Sequence, residues 1–315
     1  MRLGIISGNL GWHVQDLLRA AGLLSIKAEW IDITEASSAD DLEKHDALLI
    51  RTFPSGSLEQ TIFRLALLYR TERQGQLVLN SPAAFEACVD KFTTTARLQQ
   101  YGIPTPATIC CQTLDAAMAA FDQLGSDVVI KPIFGSEGKG LVRISDRDAA
   151  WRACSMLCQL GAVVYLQEFV QHPGYDLRAF VLGGKVLAAM KRSHPSDWRT
   201  NIARGASAEV VQLTAEQEDL AIRAAGCVGA EMAGVDLVTG ILSSHPLTPN
   251  PSPSGGEGNQ TGGKGNHAGD ERNLVIEVNG VPGWQGLGAV TGMDIARITL
   301  EYVRERSEKH VMKRH

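Results

Sequence analysis

The chain has 315 residues, 44% of them hydrophobic and 21% charged, which is the balance of a water-soluble globular protein with room for more than one folded unit. Its formal net charge of −5, with both signs mixed along the chain, excludes a nucleic-acid binder held by a basic face. The N-terminus MRLGIISG starts directly as a short apolar strand, without a charged leader or a long apolar run, so a cytoplasmic protein without membrane contact is expected.

Residues 1 to about 80 alternate strand and helix signals: LGIIS, an amphipathic run from Trp12 to Ala21, AEWIDI, DALLIR, a helix from Leu58 to Glu72, and QLVLN. That rhythm predicts a small parallel sheet with helices on its faces. Gly4, Gly8 and Gly11 lack the G-x-G-x-x-G spacing of a dinucleotide site. From Ser81 a helix is entered through Ser81-Pro82 and runs to Gly102, after which IPTPAT is extended because each proline disfavours helix in the residue before it. Next come a helix over 113–124, a hairpin around VVIKPIFGSEGKG, a helix over 146–160, and the strand-like runs VVYLQEFV, YDLRAFVLG and KVLAAMKRS. A helix follows from Thr214, its N-cap, to about Ala230, then the strands AGVDLVT and NLVIEVNG and a final helix from Gly292 to Ser307.

Six cysteines, Cys88, Cys110, Cys111, Cys154, Cys158 and Cys227, show no C-x-x-C spacing for zinc and are expected to be reduced. Cys154 and Cys158, four apart, read as small hydrophobes on one helical face. Residues 245–271 hold four prolines and seven glycines without apolar periodicity, so they read as a disordered surface insertion. Doubling a loop's length costs only about 0.6 kcal/mol, so the flanking strands can still pair and bring Asp236 beside Glu277.

The stretch VVIKPIFGSEGKG, residues 128–140, is not a P-loop: Gly140 stands where Ser or Thr should follow the lysine, and LVRIS after it alternates like a strand. It reads as the tip of a hairpin, with Lys131 ending the first strand beside Gly135, Ser136, Gly138 and Gly140, whose backbone N–H groups suit phosphates. In AGVDLV and VIEVNG, Asp236, Glu277 and Asn279 interrupt apolar runs and make an oxygen cage suited to magnesium. LQEFV offers Glu168 with Gln167, Phe169 and Val170 at a strand end, able to read an adenine amine and ring edge. SDWRTNIARG supplies Arg199, Asn201 and Arg204 in a polar loop able to clamp anionic oxygens. Lys91 taken alone is an ordinary exposed helix lysine.

Together DKFTTTARLQQYGIPTP, VVIKPIFGSEGKG, LQEFV, YDLRAFVLGGKVLAAMKR, WRTNIARG, AGVDL and EVNGVPG resemble the ATP-grasp superfamily, and within it the RimK-like α-L-glutamate ligases, from about Lys91 to Tyr302. The resemblance implies an α/β ATP-grasp fold: a Rossmann-like N-terminal domain over residues 1–82, a small lid subdomain over 83–170 and a metal-binding subdomain over 171–315. It implies that Lys91 and Lys131 bind the ATP phosphates, that Glu168 contacts adenine, and that Asp176 in YDLR belongs to the nucleotide pocket. Arg192, Arg199 and Asn201 would face the phosphates and the activated carboxylate, while Asp236, Glu277 and Asn279 would hold two Mg²⁺ ions, with Mn²⁺ the alternative.

The implied reaction joins a carboxylate to an amine through an acylphosphate, with L-glutamate as the amine and a peptide, protein or coenzyme carboxylate as acceptor. The rival readings are an ATP-binding protein without ligase activity, a phosphotransferase, and a ligase for another amine. A homo-oligomer is compatible with all of them. His13, His172 and His194 read as ordinary polar residues. Ala206 and Trp284 depart from the family pattern where the acceptor should bind, and Trp284 is expected either to pack against the carboxylate substrate or to anchor the last helix.

Overall fold

In the computed structural model, which describes residues 1–54, 56–135, 139–202, 205–241 and 271–312, the chain folds into two compact units. Unit 1 comprises Met1–Ile103, Gly174–Leu237 and Val275–His315, and unit 2 comprises Pro104–Pro173 and Val238–Leu274.

Unit 1 opens with β1 (Arg2–Ile6), α1 (Trp12–Leu23), β2 (Lys27–Ile31), β3 (Ala47–Ile50), α2 (Leu58–Arg73) and β4 (Leu77–Leu79). The four strands lie in the order β2-β1-β3-β4 and all pairs are parallel. A parallel sheet must be covered on both faces, which is why its strands are nearly continuous apolar runs. Leu3, Ile5 and Leu49 pack with Val14 and Leu17 of α1, while Ile6, Leu48 and Ile50 pack with Leu68 of α2. The serine Ser57 starts α2 with a reciprocal cap, its hydroxyl accepting from the Gln60 N–H.

The helix expected from Ser81 to Gly102 is two helices, α3 (Pro82–Val89) and α4 (Lys91–Gln100). Asp90 breaks it: its backbone is extended (φ −95°, ψ 105°) and its carboxylate accepts from the N–H groups of Phe92 and Thr93, capping α4. Lys91 therefore sits at the first position of a helix rather than in the middle of one.

Unit 2 holds β5 (Thr108–Cys111), α5 (Leu114–Gln123), β6 (Val128–Lys131), β7 (Val142–Ile144), α6 (Arg147–Gln159) and β8 (Val164–Glu168). Its antiparallel sheet has the order β5-β8-β6-β7, so the glycine loop does join the two strands of a hairpin. One face carries Val128, Ile130, Ile144, Val164 and Leu166 under Phe121 of α5 and Cys154 of α6, with Cys158 partly buried beside them. All six cysteines are free.

The chain then re-enters unit 1 with β9 (Tyr175–Leu182), β10 (Lys185–Ser193), β11 (Ser207–Val210), α7 (Ala215–Cys227), β12 (Met232–Gly240), β13 (Arg272–Asn279), α8 (Gln285–Thr291) and α9 (Ile295–Met312). Here β5, β11 and α8 were not legible as elements, and the final helix expected from Gly292 to Ser307 is α9, while Gly292 itself, at φ +69°, ends α8. Thr214 caps α7 as expected, its hydroxyl accepting from the Gln217 N–H. These strands order as β11-β10-β9-β12-β13. Strand alternation sends Leu177, Ala179 and Val181 of β9 toward Leu220, Ala221 and Ala224 of α7, and sends Phe180 to the opposite face with Trp284 and Leu287. Asn80 ties the parallel sheet's last strand to this region: its amide donates to the carbonyls of Met232 and Gly280 at 2.7 Å each and accepts from the N–H groups of Glu231 and Met232. The expected insertion, apart from Glu271, lies outside the described residues.

Candidate active site

The register of unit 1's second sheet brings four charged side chains onto one face. Asp236 stands opposite Arg178, Arg178 opposite Met190, and Arg192 opposite Asp176. Residues opposite one another, or two apart on one strand, share a face. Arg192 grips Asp176 through both oxygens, at 2.8 and 2.5 Å, and reaches Asp236 at 3.0 Å. Arg178 donates to Asp236 at 2.9 Å and contacts its second oxygen through Nε. Gly234 makes room for this, since a Cβ there would lie 2.6 Å from the nearer guanidinium nitrogen of Arg178.

The four groups are buried and balanced, two carboxylates against two guanidiniums. Burial alone would push the Asp236 carboxyl up, but Arg178 and Arg192 hold it below the ordinary carboxylate range. For Asp176 burial is the larger influence and pushes its carboxyl up against the pull of Arg192. Burial would lower Arg192, yet Asp236 and then Asp176 raise it.

Next to β12, β13 carries Glu277 and Asn279 two residues apart. Lys91 reaches Glu277 at 3.6 Å, and the Asn279 carbonyl oxygen accepts the Val281 N–H at 3.0 Å, which starts the turn into Pro282. Among the described residues no three His, Cys, Asp or Glu side chains gather into a metal cluster. The available set is two carboxylates and one amide oxygen, and this hard, oxygen-only chemistry fits magnesium, which keeps part of its shell for water and phosphate. Glu277 is a third exposed and Asn279 is half-buried, whereas Asp236 is buried.

In unit 2, the face of the sheet away from α5 and α6 carries Lys131, Gln167, Thr108, Arg143 and Phe169. Lys131 donates to the Gln167 carbonyl at 2.6 Å, and the Gln167 amide donates to Thr108 at 3.0 Å. Arg143, held by Asp127 at 2.8 and 2.6 Å, lies 3.5 Å above the Phe169 ring. Glu168 stands opposite Val128, so the pleat turns it to the other face from Lys131, and it is buried. Val170 is also buried, next to the bridge between Gln171 and Ile241. Gly135 and Gly140 have φ of +145° and +75°, which side-chain-bearing residues rarely adopt, and both close against Pro132. Ser136 and Gly138 lie outside the described residues, as does Arg204.

Two expectations meet a different environment. Arg199 is paired through Nε and Nη2 to Asp197, at 3.0 and 2.9 Å, within its own loop, whose Asn201 is half-buried. Trp284 belongs to the core: its ring is 1% exposed, packs edge-on against His13 at 4.8 Å and Phe180 at 6.4 Å, and donates its indole N–H to Asp16 at 2.9 Å. Of its two expected roles, the structural one is the one observed. Arg178 was missed in the sequence reading. Its signal is a charge breaking the apolar alternation two residues after Asp176.

Residues 88–254 match the RimK-like ATP-grasp domain family. The tetrahydromethanopterin:alpha-L-glutamate ligase of Methanosarcina acetivorans is 32% identical over 271 residues, covering 82% of this chain and 80% of that one. A protein of Aliivibrio salmonicida named probable alpha-L-glutamate ligase is 29% identical and covers 98% of this chain and 96% of its own length. In fold, the chain is similar to the ATP-grasp ligase PsnB complexed with minimal precursor, Mg and ADP, with a TM-score of 0.69 at 18% identity over 97% of both chains. It is also similar to the D-alanine–D-alanine ligase of Bacillus anthracis complexed with ATP, with a TM-score of 0.68 at 17% identity over the full length of both. The chain belongs to the RimK-like ATP-grasp family and is an ATP-grasp ligase.

Proposed function

We propose that the protein joins the amine of L-glutamate to a carboxylate of a peptide, a protein or a pterin-type coenzyme, at the expense of ATP. Relatives named as glutamate ligases support the amine, the name of one supports a pterin-type acceptor, and a fold neighbour complexed with a precursor peptide supports a peptide acceptor. The observation that carries the reading is Lys91 meeting Glu277 at 3.6 Å, on the strand next to the one that bears Asp236. A phosphate-binding cation and metal-binding oxygens are needed together where a phosphoryl group moves.

In this reading Lys91, Lys131 and the backbone N–H groups of the glycine loop bind the ATP phosphates. The LQEFV strand end receives the adenine, and Asp176 acts through Arg192. The acceptor carboxylate attacks the γ-phosphorus, the bond to ADP breaks, and an acylphosphate forms. The neutral amine then attacks the acyl carbon, phosphate leaves, and the amine loses a proton as the amide forms. Arg192, Arg199, Asn201 and Arg204 balance the charge on the transferring group, which for Arg199 requires it to leave Asp197. Asp236, Glu277 and Asn279 would hold two magnesium ions, or manganese in their place, which when bound neutralise phosphate charge. A cytoplasmic setting fits the six free cysteines, and no helix among the described residues is long and apolar enough to cross a membrane.

The test is ADP release and product mass with Mg·ATP, L-glutamate and a panel of acceptors: a peptide with a C-terminal glutamate, N-acetyl-L-glutamate and tetrahydromethanopterin. Formation of a glutamyl amide that Lys131→Ala and Glu277→Ala each reduce by a hundredfold or more in kcat/KM is expected, from loss of about 3 kcal/mol of transition-state stabilisation. Full activity of either variant at saturating ATP and magnesium would remove that residue from the site. Hydroxamate formation with hydroxylamine but no amide would favour the phosphotransferase.

A further inference from the structure

One buried cation in unit 1 takes no part in this scheme. Arg51 follows β3 at the C-terminal edge of the parallel sheet, the edge where open α/β sheets receive ligands. Strand alternation puts its side chain on the face of Ala47 and Leu49, and there it is 3% exposed. Its Nη2 donates to the Pro282 carbonyl at 2.8 Å, and its guanidinium carbon lies 4.4 Å from the centre of the Trp284 ring. Among the described residues, Nε and Nη1 are buried without a hydrogen-bond partner and no carboxylate pairs with Arg51. Burial lowers its pKa to about 9, a large displacement for a guanidinium.

The surroundings do not offset the charge. His13, between Arg51 and Asp16, is itself kept neutral: burial, then Arg51, lower its pKa to about 4, against a weaker pull from Asp16. Its Nε2 accepts the Trp284 backbone N–H at 3.1 Å, so it presents no negative group to Arg51. The hydroxyls of Ser7 and Thr52, at the ends of β1 and β3, bond each other at 2.7 Å, and Thr52 also accepts the Gly8 N–H at 3.0 Å. An unpaired buried cation is costly, and a planar fork of donors with two free N–H groups matches an incoming carboxylate.

We propose that Arg51 is the anchor for a carboxylate group of one of the two organic substrates, held at the C-terminal edge of the parallel sheet beside Trp284. The proposal rests on the ligase reading and deepens it by naming the residue that selects an acidic substrate. Both L-glutamate and an acidic acceptor present a carboxylate that is not consumed in the reaction, so either can fill this role.

The experiment compares wild type with Arg51→Met and Arg51→Lys, using L-glutamate and N-acetyl-L-glutamate as probes in turnover and in thermal melts. Arg51→Met removes an unpaired buried charge and is expected to melt at the same temperature or higher. KM for one organic substrate should rise tenfold or more, KM for ATP should stay within twofold, and Arg51→Lys should recover only part of the loss. An effect on L-glutamate, with loss of its protective shift in melting, assigns the carboxylate to the amino acid. An effect on N-acetyl-L-glutamate alone assigns it to the acceptor. A lowered melting temperature with every KM unchanged in both variants overturns the proposal and makes Arg51 a structural cation on Trp284. Wild-type protein that turns over ATP without making an amide would instead overturn the ligase reading, while a probe-induced melting shift lost in both variants would still support the anchor.

Discussion

Two sets of arginines lie buried in the same unit and meet opposite treatment. Arg192 and Arg178 face two carboxylates, and Arg192 is held in its charged form by them. Arg51 faces an indole ring, a proline carbonyl and a neutral histidine, and is pushed down to about 9. The first set is paired within the chain, so its loss should cost stability in addition to removing Arg192 from the transferring group. The second is incomplete, so its loss should appear as lost recognition. Buried ion pairs are costly to break from one side and nearly neutral to replace whole, which makes the contrast measurable.

The largest effect is expected from Arg192→Met, which leaves Asp176 and Asp236 buried with one guanidinium between them. Urea unfolding should show a loss of about 3–5 kcal/mol, whereas Arg51→Met should fall within about 1 kcal/mol of wild type. Equal losses in the two variants would erase the distinction between the sets.

A smaller effect sharpens the geometry of the first set. Gly234→Ala places a Cβ 2.6 Å from Nη1 of Arg178 and 3.1 Å from Cβ of Pro282, so the arginine must swing off Asp236. Overpacking of this kind costs about 1–3 kcal/mol, the lower end applying because the clash is with the far end of a flexible side chain. If Gly234→Ala unfolds at the wild-type urea concentration, Arg178 is not confined as described.

The smallest effect concerns the second set and depends on pH. His13 titrates near 6.5 when unfolded and near 4 in the fold, where burial and Arg51 disfavour its charged form. Between those values the unfolded chain binds the extra proton, so this contribution destabilises the fold progressively as pH falls from about 6.5 to about 4. The difference in melting temperature between wild type and His13→Gln should therefore shift against wild type across that window and be constant above it. A difference that stays flat through the window would mean that His13 is not held neutral beside Arg51.

Much of the fold was legible because it is written in local patterns. Apolar runs separated by glycine and proline located most strands, and Thr214 announced its helix by cap chemistry that needs only four residues. The break at Asp90 escaped because Asp is acceptable both within a helix and before one, and backbone geometry chose the second. The strand β5 escaped because TICC is too short to show alternation.

The sequence by itself determined the family, through seven ordered motifs that no composition would produce, and it marked Lys91, Lys131, Asp236, Glu277 and Asn279 as the residues to follow. Tertiary structure alone decided their partners. Whether Asp236 faces arginines depends on the register between β12 and β9, whether Glu168 or Gln167 meets Lys131 depends on the pleat of β8, and whether Trp284 meets solvent depends on α1 lying over it. Pattern fixes which residues are apolar or charged. Contacts between residues far apart in the chain arise only when strands pair in one register, because shifting a strand by one residue would exchange its two faces.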